Sequence, residues 1–311
     1  MNLFDSVCSG ILKNMVVLSA TVFFVFSCGT GSQNSEVKEG EGAQDEIVLD
    51  EEITKVDIAK EDFERMLNTI PEPTKVPVVL QETGAAFNMD MLNPAAEAKS
   101  YMTTNDKAAL NLGVYSADLG YLCAYSKAQD AINYLNASQN LVEYLNISNA
   151  IQMSISKRFE ANLSNQDSLI SIANQSIELA KDYLNESERF GTAALVATGS
   201  FVEGLYISTK LVENFSAEGS EEEKNQQLRG LVQTILEQKE PLQDLVNVLD
   251  VLGDSEESIV EVKDQVSDLF DMFDMIGIKA KMESNPDDLL TDETLKGITS
   301  KVSDIRAGIV N

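Results

Sequence analysis

Two carboxylates stand alone in otherwise uncharged stretches of this chain. Asp118 is the one formal charge between Ala108 and Ser126, and Glu203 is the one between Thr192 and Thr209. Phenols recur around them at helical spacing. Tyr115 lies one turn before Asp118, Tyr121 three residues and Tyr125 two turns after it, and Tyr206 one turn after Glu203. A carboxylate removed from water without a partner is costly or surrenders its charge. Both acids therefore require donors, from tyrosine, from Ser126 or Thr209, or from a basic side chain. Two arrangements meet that need. One is a structural network closed on itself. The other is an internal pocket in which Tyr115, Asp118, Tyr121, Tyr125, Glu203 and Tyr206 bind a small cationic or hydroxylated ligand.

Other chemistry finds less support. The chain has no histidine, which removes Ser-His-Asp and Cys-His catalysis, histidine-bound zinc and the commonest pH switch near neutrality. A di-iron bundle needs Glu-x-x-His pairs. Two separated acids do not define a coordination shell, and Asp287, Asp288, Asp292 and Glu293 lack the spacing of a calcium loop. Paired acids across a sugar cleft would suit glycoside hydrolysis, but the segments carrying them read as a closed core. No metal, cofactor or catalytic residue is expected, and the chain reads as a non-enzyme. Cys123, between Leu122 and Ala124, reads as a buried structural thiol.

The elements that must position Asp118 and Glu203 read as helices. Asp57–Leu67 has helical spacing and ends at Pro71 and Pro73. A short helix within 77–87 stops at Gly84, and Pro94 suits the first turn of another. A cap within 103–106 launches a helix of about twenty residues, apolar on nearly every side and therefore central. A join near 127–130 leads to the helix of 131–144, and Asn146–Asn149 separates that from the next. Asn165 to Asp167 cap a helix over 168–183, and Gly191 marks the following break or is absorbed within a continuous helix. The segment from Thr192 to Phe215 is the second that is apolar all round. Its Gly199 and Gly204, like Gly113 and Gly120, are expected at close helix contacts, because each glycine costs about 1 kcal/mol of propensity relative to alanine. Ser220 with Glu223 forms a capping box. Pro241 kinks that helix or begins the next, a further helix starts at Ser255 or Ser258, and the last runs between Asp292 and Arg306. The fold expected is all-α, a multi-helix antiparallel bundle over 56–311, with a duplicated helical hairpin as an alternative arrangement.

Upstream, residues 11–26 are apolar apart from Lys13, Asn14, Ser19 and Thr21, and Val25-Phe26-Ser27-Cys28 follows. A lysine before a short apolar run and a small residue at the cut mark an export signal over 1–27. Val25 to Cys28 resembles the lipobox of bacterial lipoproteins, and that resemblance implies that Cys28 is lipidated, with palmitate among its acyl groups, and becomes the first mature residue. Residues 28–55, rich in Gly, Ser, Gln and Glu, read as an acidic disordered tether. Together with NLGVYSADLGYLCAY and GSFVEGLY, these features are similar to uncharacterised all-helical envelope lipoproteins of Bacteroidetes. The resemblance implies an outer-membrane anchor. The first acid after Cys28 is Glu36, so the periplasmic face is expected, with surface exposure as the alternative. Asp167-Ser168-Leu169 resembles the O-glycosylation site of exported proteins in that group, and Ser168 equally suits a helix start.

Fifty-one acidic against 23 basic residues give a net charge of -28. Such a field repels nucleic acid and anionic surfaces. The expected role is a noncatalytic envelope lipoprotein that binds another protein or supports an assembly. A periplasmic small-ligand receptor is the second hypothesis.

Overall fold

The two uncharged segments become the two central helices, and their crossing organises the rest. The computed structural model describes residues 74–147, 149–215, 219–252, 257–274 and 293–311. The expected signal segment and tether, Cys28 and the helix expected over Asp57–Leu67 lie outside the described residues. The described residues form ten α-helices: α1 Lys75–Glu82, α2 Asn105–Ala124, α3 Ala128–Tyr144, α4 Asn149–Ala161, α5 Gln166–Glu186, α6 Phe190–Glu213, α7 Glu221–Leu236, α8 Lys239–Leu252, α9 Glu257–Asp274 and α10 Glu293–Val310. Two short 3-10 helices, Met89–Met91 and Ala95–Tyr101, join α1 to α2. Helix makes up 84% of the described part and no strand occurs in it. The all-α bundle is therefore held by helix-on-helix packing alone.

Every residue from Ala108 to Ala124 is buried, as a helix without a polar face requires. Its most extensive partner is α6. Three of the described helices start after side-chain oxygens placed to receive orphan backbone amides. Thr104 accepts from the Lys107 amide at 3.2 Å, Asn165 from the Ser168 amide at 3.0 Å, and Ser220 with Glu223 forms the reciprocal capping box. Ser168 thus occupies the first turn of α5.

Three corners share one geometry. Ser126, Asn146 and Glu188 have φ of 57°, 53° and 55°, the left-handed conformation that glycine usually supplies after a helix. At each, the next amide reaches back five residues: Lys127 to Leu122, Ile147 to Val142, and Arg189 to Leu184, at 2.8, 3.0 and 2.9 Å. Gly191 is absorbed in the first turn of α6, and the break falls at Ser187 to Arg189. Pro94 precedes its 3-10 helix rather than starting it, and Pro241 sits in the first turn of α8, where its missing amide costs nothing. α10 continues past Arg306 to Val310.

Helices α2 and α6 run in the same sense where they meet: Gly113 lies beside Gly199, and Asp118 meets Glu203 further along both helices. At the crossing the backbones touch. A Cβ on Gly113 would overlap the Val196 carbonyl, and one on Gly199 would overlap the Leu110 carbonyl. Gly204 differs from the expectation, since nothing lies within 4 Å of where its Cβ would be. The glycine-to-acid spacing is five residues on α2 and four on α6, so no strict repeat underlies the likeness of the two helices.

These contacts fix opposite outcomes for one substitution type. Gly113→Ala and Gly199→Ala should each destabilise the protein by about 1–3 kcal/mol or more through overpacking. Gly204→Ala should stabilise it by up to about 1 kcal/mol through helix propensity. Denaturant unfolding of the three variants checks this, and equal effects at all three positions would contradict the crossing.

Candidate functional site: a buried acid pair closed by Arg306

Asp118 and Glu203 meet at the α2–α6 contact, and both are fully buried. Close helix approach at Gly113 and Gly199 brings the carboxyl groups within hydrogen-bonding reach of each other. The counter-charge comes from α10. Arg306 grips Glu203 with two nitrogens, Nε to Oε2 at 2.8 Å and an Nη to Oε1 at 3.1 Å. That paired geometry suits the flat guanidinium and adds direction to charge. The same Nη also donates to the Met91 carbonyl at 3.4 Å. The guanidinium centre lies 4.4 Å from the centre of the Tyr206 ring, where a cation is attracted to the aromatic face.

Asp118 is held differently. Its Oδ2 accepts the Asn93 backbone amide at 3.1 Å, and its Oδ1 has no other donor. Burial, then the neighbouring Glu203 charge, push the Asp118 carboxyl well above the usual range, against the pull of Arg306. Burial also raises Glu203, and Arg306 restrains that rise. Burial opposes the Arg306 charge, but Glu203 and then Asp118 more than offset it and keep the guanidinium charged.

Segment 88–94, which includes the 3-10 helix Met89–Met91, is fastened to the site's helices. The Asn88 amide donates to the Tyr121 hydroxyl at 3.1 Å, and the Tyr115 hydroxyl donates to the Pro94 carbonyl at 2.9 Å. The Tyr101 hydroxyl shares its one proton between the Asn93 side-chain oxygen at 3.3 Å and the Val310 carbonyl at 3.1 Å. Segment 88–94, α2 and α10 therefore share one set of polar contacts around the acids.

The six residues expected to line one pocket fall into three neighbourhoods. Asp118, Glu203 and Tyr206 surround Arg306. Tyr115 packs between Tyr101 and Tyr134, with ring centres 6.2 and 6.0 Å away. Tyr121 and Tyr125 stack with Phe87 at 5.3 and 5.6 Å, and the Tyr125 hydroxyl donates to the Ala85 carbonyl at 2.9 Å. Burial raises the phenols of Tyr115, Tyr121, Tyr125 and Tyr134 above their ordinary range, so they act as neutral donors and acceptors. None of them donates to either acid. Ser126 and Thr209 do not serve the acids either, because Ser126 donates to Gln166 at 2.7 Å and Thr209 to the Tyr206 carbonyl at 2.9 Å. The donors are a basic side chain, Arg306, and a backbone amide, Asn93. Arg306 had been read as the final residue of its helix. The unbroken spacing of Val302, Ile305 and Ile309 is the signal that carries the helix onward.

Among the described residues, no group of three or more acid or cysteine side chains converges in a way that could hold a metal ion. Burial pushes the Cys123 thiol up to about 12, so it is not a nucleophile at neutral pH. An open cleft of about 850 Å³ lies elsewhere, between the start of α2, α9 and the end of α10. Helix α6 is long and apolar enough to cross a membrane by length and composition, and 61% of that window is buried within the protein. Comparison with protein-family models, curated proteins and solved structures found no match to the chain.

Removing Arg306 strands two carboxyl groups in the interior. Arg306→Met should cost about 3–5 kcal/mol of stability, the range for breaking a buried pair. Arg306→Lys should recover only part, because an ammonium cannot make the paired contact. Unfolding in denaturant measures both, and a loss below about 1 kcal/mol, typical of an exposed pair, would contradict the arrangement.

Proposed function

We propose that the chain is a noncatalytic bacterial envelope lipoprotein, resembling those of Bacteroidetes, whose helical domain binds another protein or supports an assembly. Its lipid is on Cys28, and the tether over 28–55 holds the domain at the periplasmic face of the outer membrane. The observation that supports the noncatalytic reading is the closure of the acid pair. Arg306, Met91 and Asn93 occupy the positions around Glu203 and Asp118 that a substrate or ligand would need. The net charge of -28 favours a partner with a basic face and disfavours nucleic acid.

One observation favours a small-ligand receptor as the second reading, and it is not the acid pair. The cleft of about 850 Å³ is lined by Asp106, Glu261, Ser258, Leu110 and Gly308, among others. That volume lies within the roughly 300–1,000 Å³ of ligand pockets, and its acids suit a cation. Nothing lies within 4 Å of a Cβ added at Gly308, so Gly308→Phe introduces bulk at the cleft without a clash at its Cβ.

The anchor is tested in membranes of a host that processes lipoproteins. Mass spectrometry of the mature protein should find acyl groups on Cys28, and Cys28→Ala should move the protein from the membrane fraction to the soluble one. Crosslinking in the native envelope should then join the wild-type chain to a reproducible partner with a basic face. An unmodified amino terminus elsewhere would contradict the anchor. A polyamine that raises the melting temperature of the wild type but not of Gly308→Phe would favour the receptor instead.

A further inference from the structure

We infer that Asp118 keeps a proton in the folded protein and donates it to the Glu203 carboxylate, so that one proton fastens helix α2 to helix α6. The inference is independent of the anchor and of any partner. It begins with a count of charges. Two fully buried carboxyl groups face each other, and one guanidinium serves them. Arg306 places both of its hydrogen bonds to acid side chains on Glu203, at 2.8 and 3.1 Å. Asp118 receives one backbone amide on Oδ2, and among the described residues its Oδ1 has no donor.

Two ionised carboxylates have only acceptors to offer each other, and like charges in a dry site cannot both persist cheaply. A proton on Asp118 removes the surplus charge and supplies the missing donor at the same time. It belongs on Asp118 because the paired Arg306 contact stabilises Glu203 as the anion. The other titratable groups facing the site do not change the count. Tyr115 comes from α2 itself, Tyr134 from α3 and Tyr206 from α6. For Tyr115 and Tyr134, burial first pushes both upward, followed by Tyr101 and then Asp118 for Tyr115 and by Asp118 and then Glu203 for Tyr134, so both remain neutral.

The consequence is a proton-sensitive device in the core. Folding takes the proton up wherever the unfolded chain has released it. Below the ordinary carboxyl range both states hold it, and the fastening is complete. Above that range, each pH unit weakens the folding constant by up to tenfold for this group, until the raised folded-state value is reached. Asp118 therefore tightens the core as the medium acidifies, opposite to a carboxylate whose ion pair is lost in acid.

The test uses the full-length protein in detergent. Infrared spectra at neutral pH, with isotope-labelled aspartate, should show a protonated-carboxyl stretch that shifts with the label. Asp118→Asn should abolish that band. The amide keeps a donor toward Glu203 and an acceptor for Asn93, so the variant should fold. Its folding constant relative to wild type should rise with pH, approaching tenfold per unit above the ordinary carboxyl range. Absence of the labelled band overturns the inference, as does a ratio independent of pH. A variant that fails to fold overturns it too, since a neutral donor would then not have been what the site required.

Discussion

The grip of Arg306 on Glu203 is the contact on which the described structure depends most. It joins the end of the chain's last helix, α10, to the middle of α6. Through Asp118 it reaches α2, and through the Met91 carbonyl and the Asn93 amide it reaches segment 88–94. Those elements are distant in sequence, so no local propensity could bring them together. Burying the charges carries a large desolvation cost, and the paired geometry, with the Met91 carbonyl and Asn93 amide contacts beside it, offsets that cost. A pair of this kind adds little net stability over an apolar replacement. What it supplies is selectivity, because misplacing any one element would strand an ion in the interior. The close crossing at Gly113 and Gly199 serves the same end, since a wider separation of α2 and α6 would part the two carboxyl groups.

The same arrangement changes what the acids mean. In the sequence, lone acids among tyrosines invite a binding pocket. In the structure, the guanidinium takes the place that a cationic ligand would fill, and Tyr206 adds the aromatic face that often accompanies such ligands. The remaining phenols hold backbone carbonyls or pack against one another. This is how a bundle with a markedly acidic composition keeps charges inside: it brings its own cation to them.

Much of the fold was legible because it follows from local rules. An uncharged stretch without a polar face has to be central, and α2 and α6 are. Thr104, Asn165 and Ser220 cap helices because their side-chain oxygens reach amides three residues on. The corners were legible in place more than in form. The turns at Ser126 and Asn146 fall at or beside the joins read at 127–130 and Asn146–Asn149, and the third falls at Glu188, just before Gly191; all three adopt a left-handed backbone without being glycine. Of the candidate site, the two acids were visible as breaks in an apolar pattern. Arg306 was not, because a cation near a helix end is ordinary and its burial depends on where α10 docks. The Asn93 amide had no signal at all, since any residue other than proline offers one.

The most direct test of the account is a double-mutant cycle across the ion pair, with Glu203→Leu, Arg306→Leu and the double variant measured by denaturant unfolding. Each single change should be costly, since it leaves a buried ion unpaired. The double variant should be no less stable than either single one, a coupling of several kcal/mol for partners in direct contact. Losses that simply add would show that the two residues act separately, and would contradict the claim that this pair ties the bundle together.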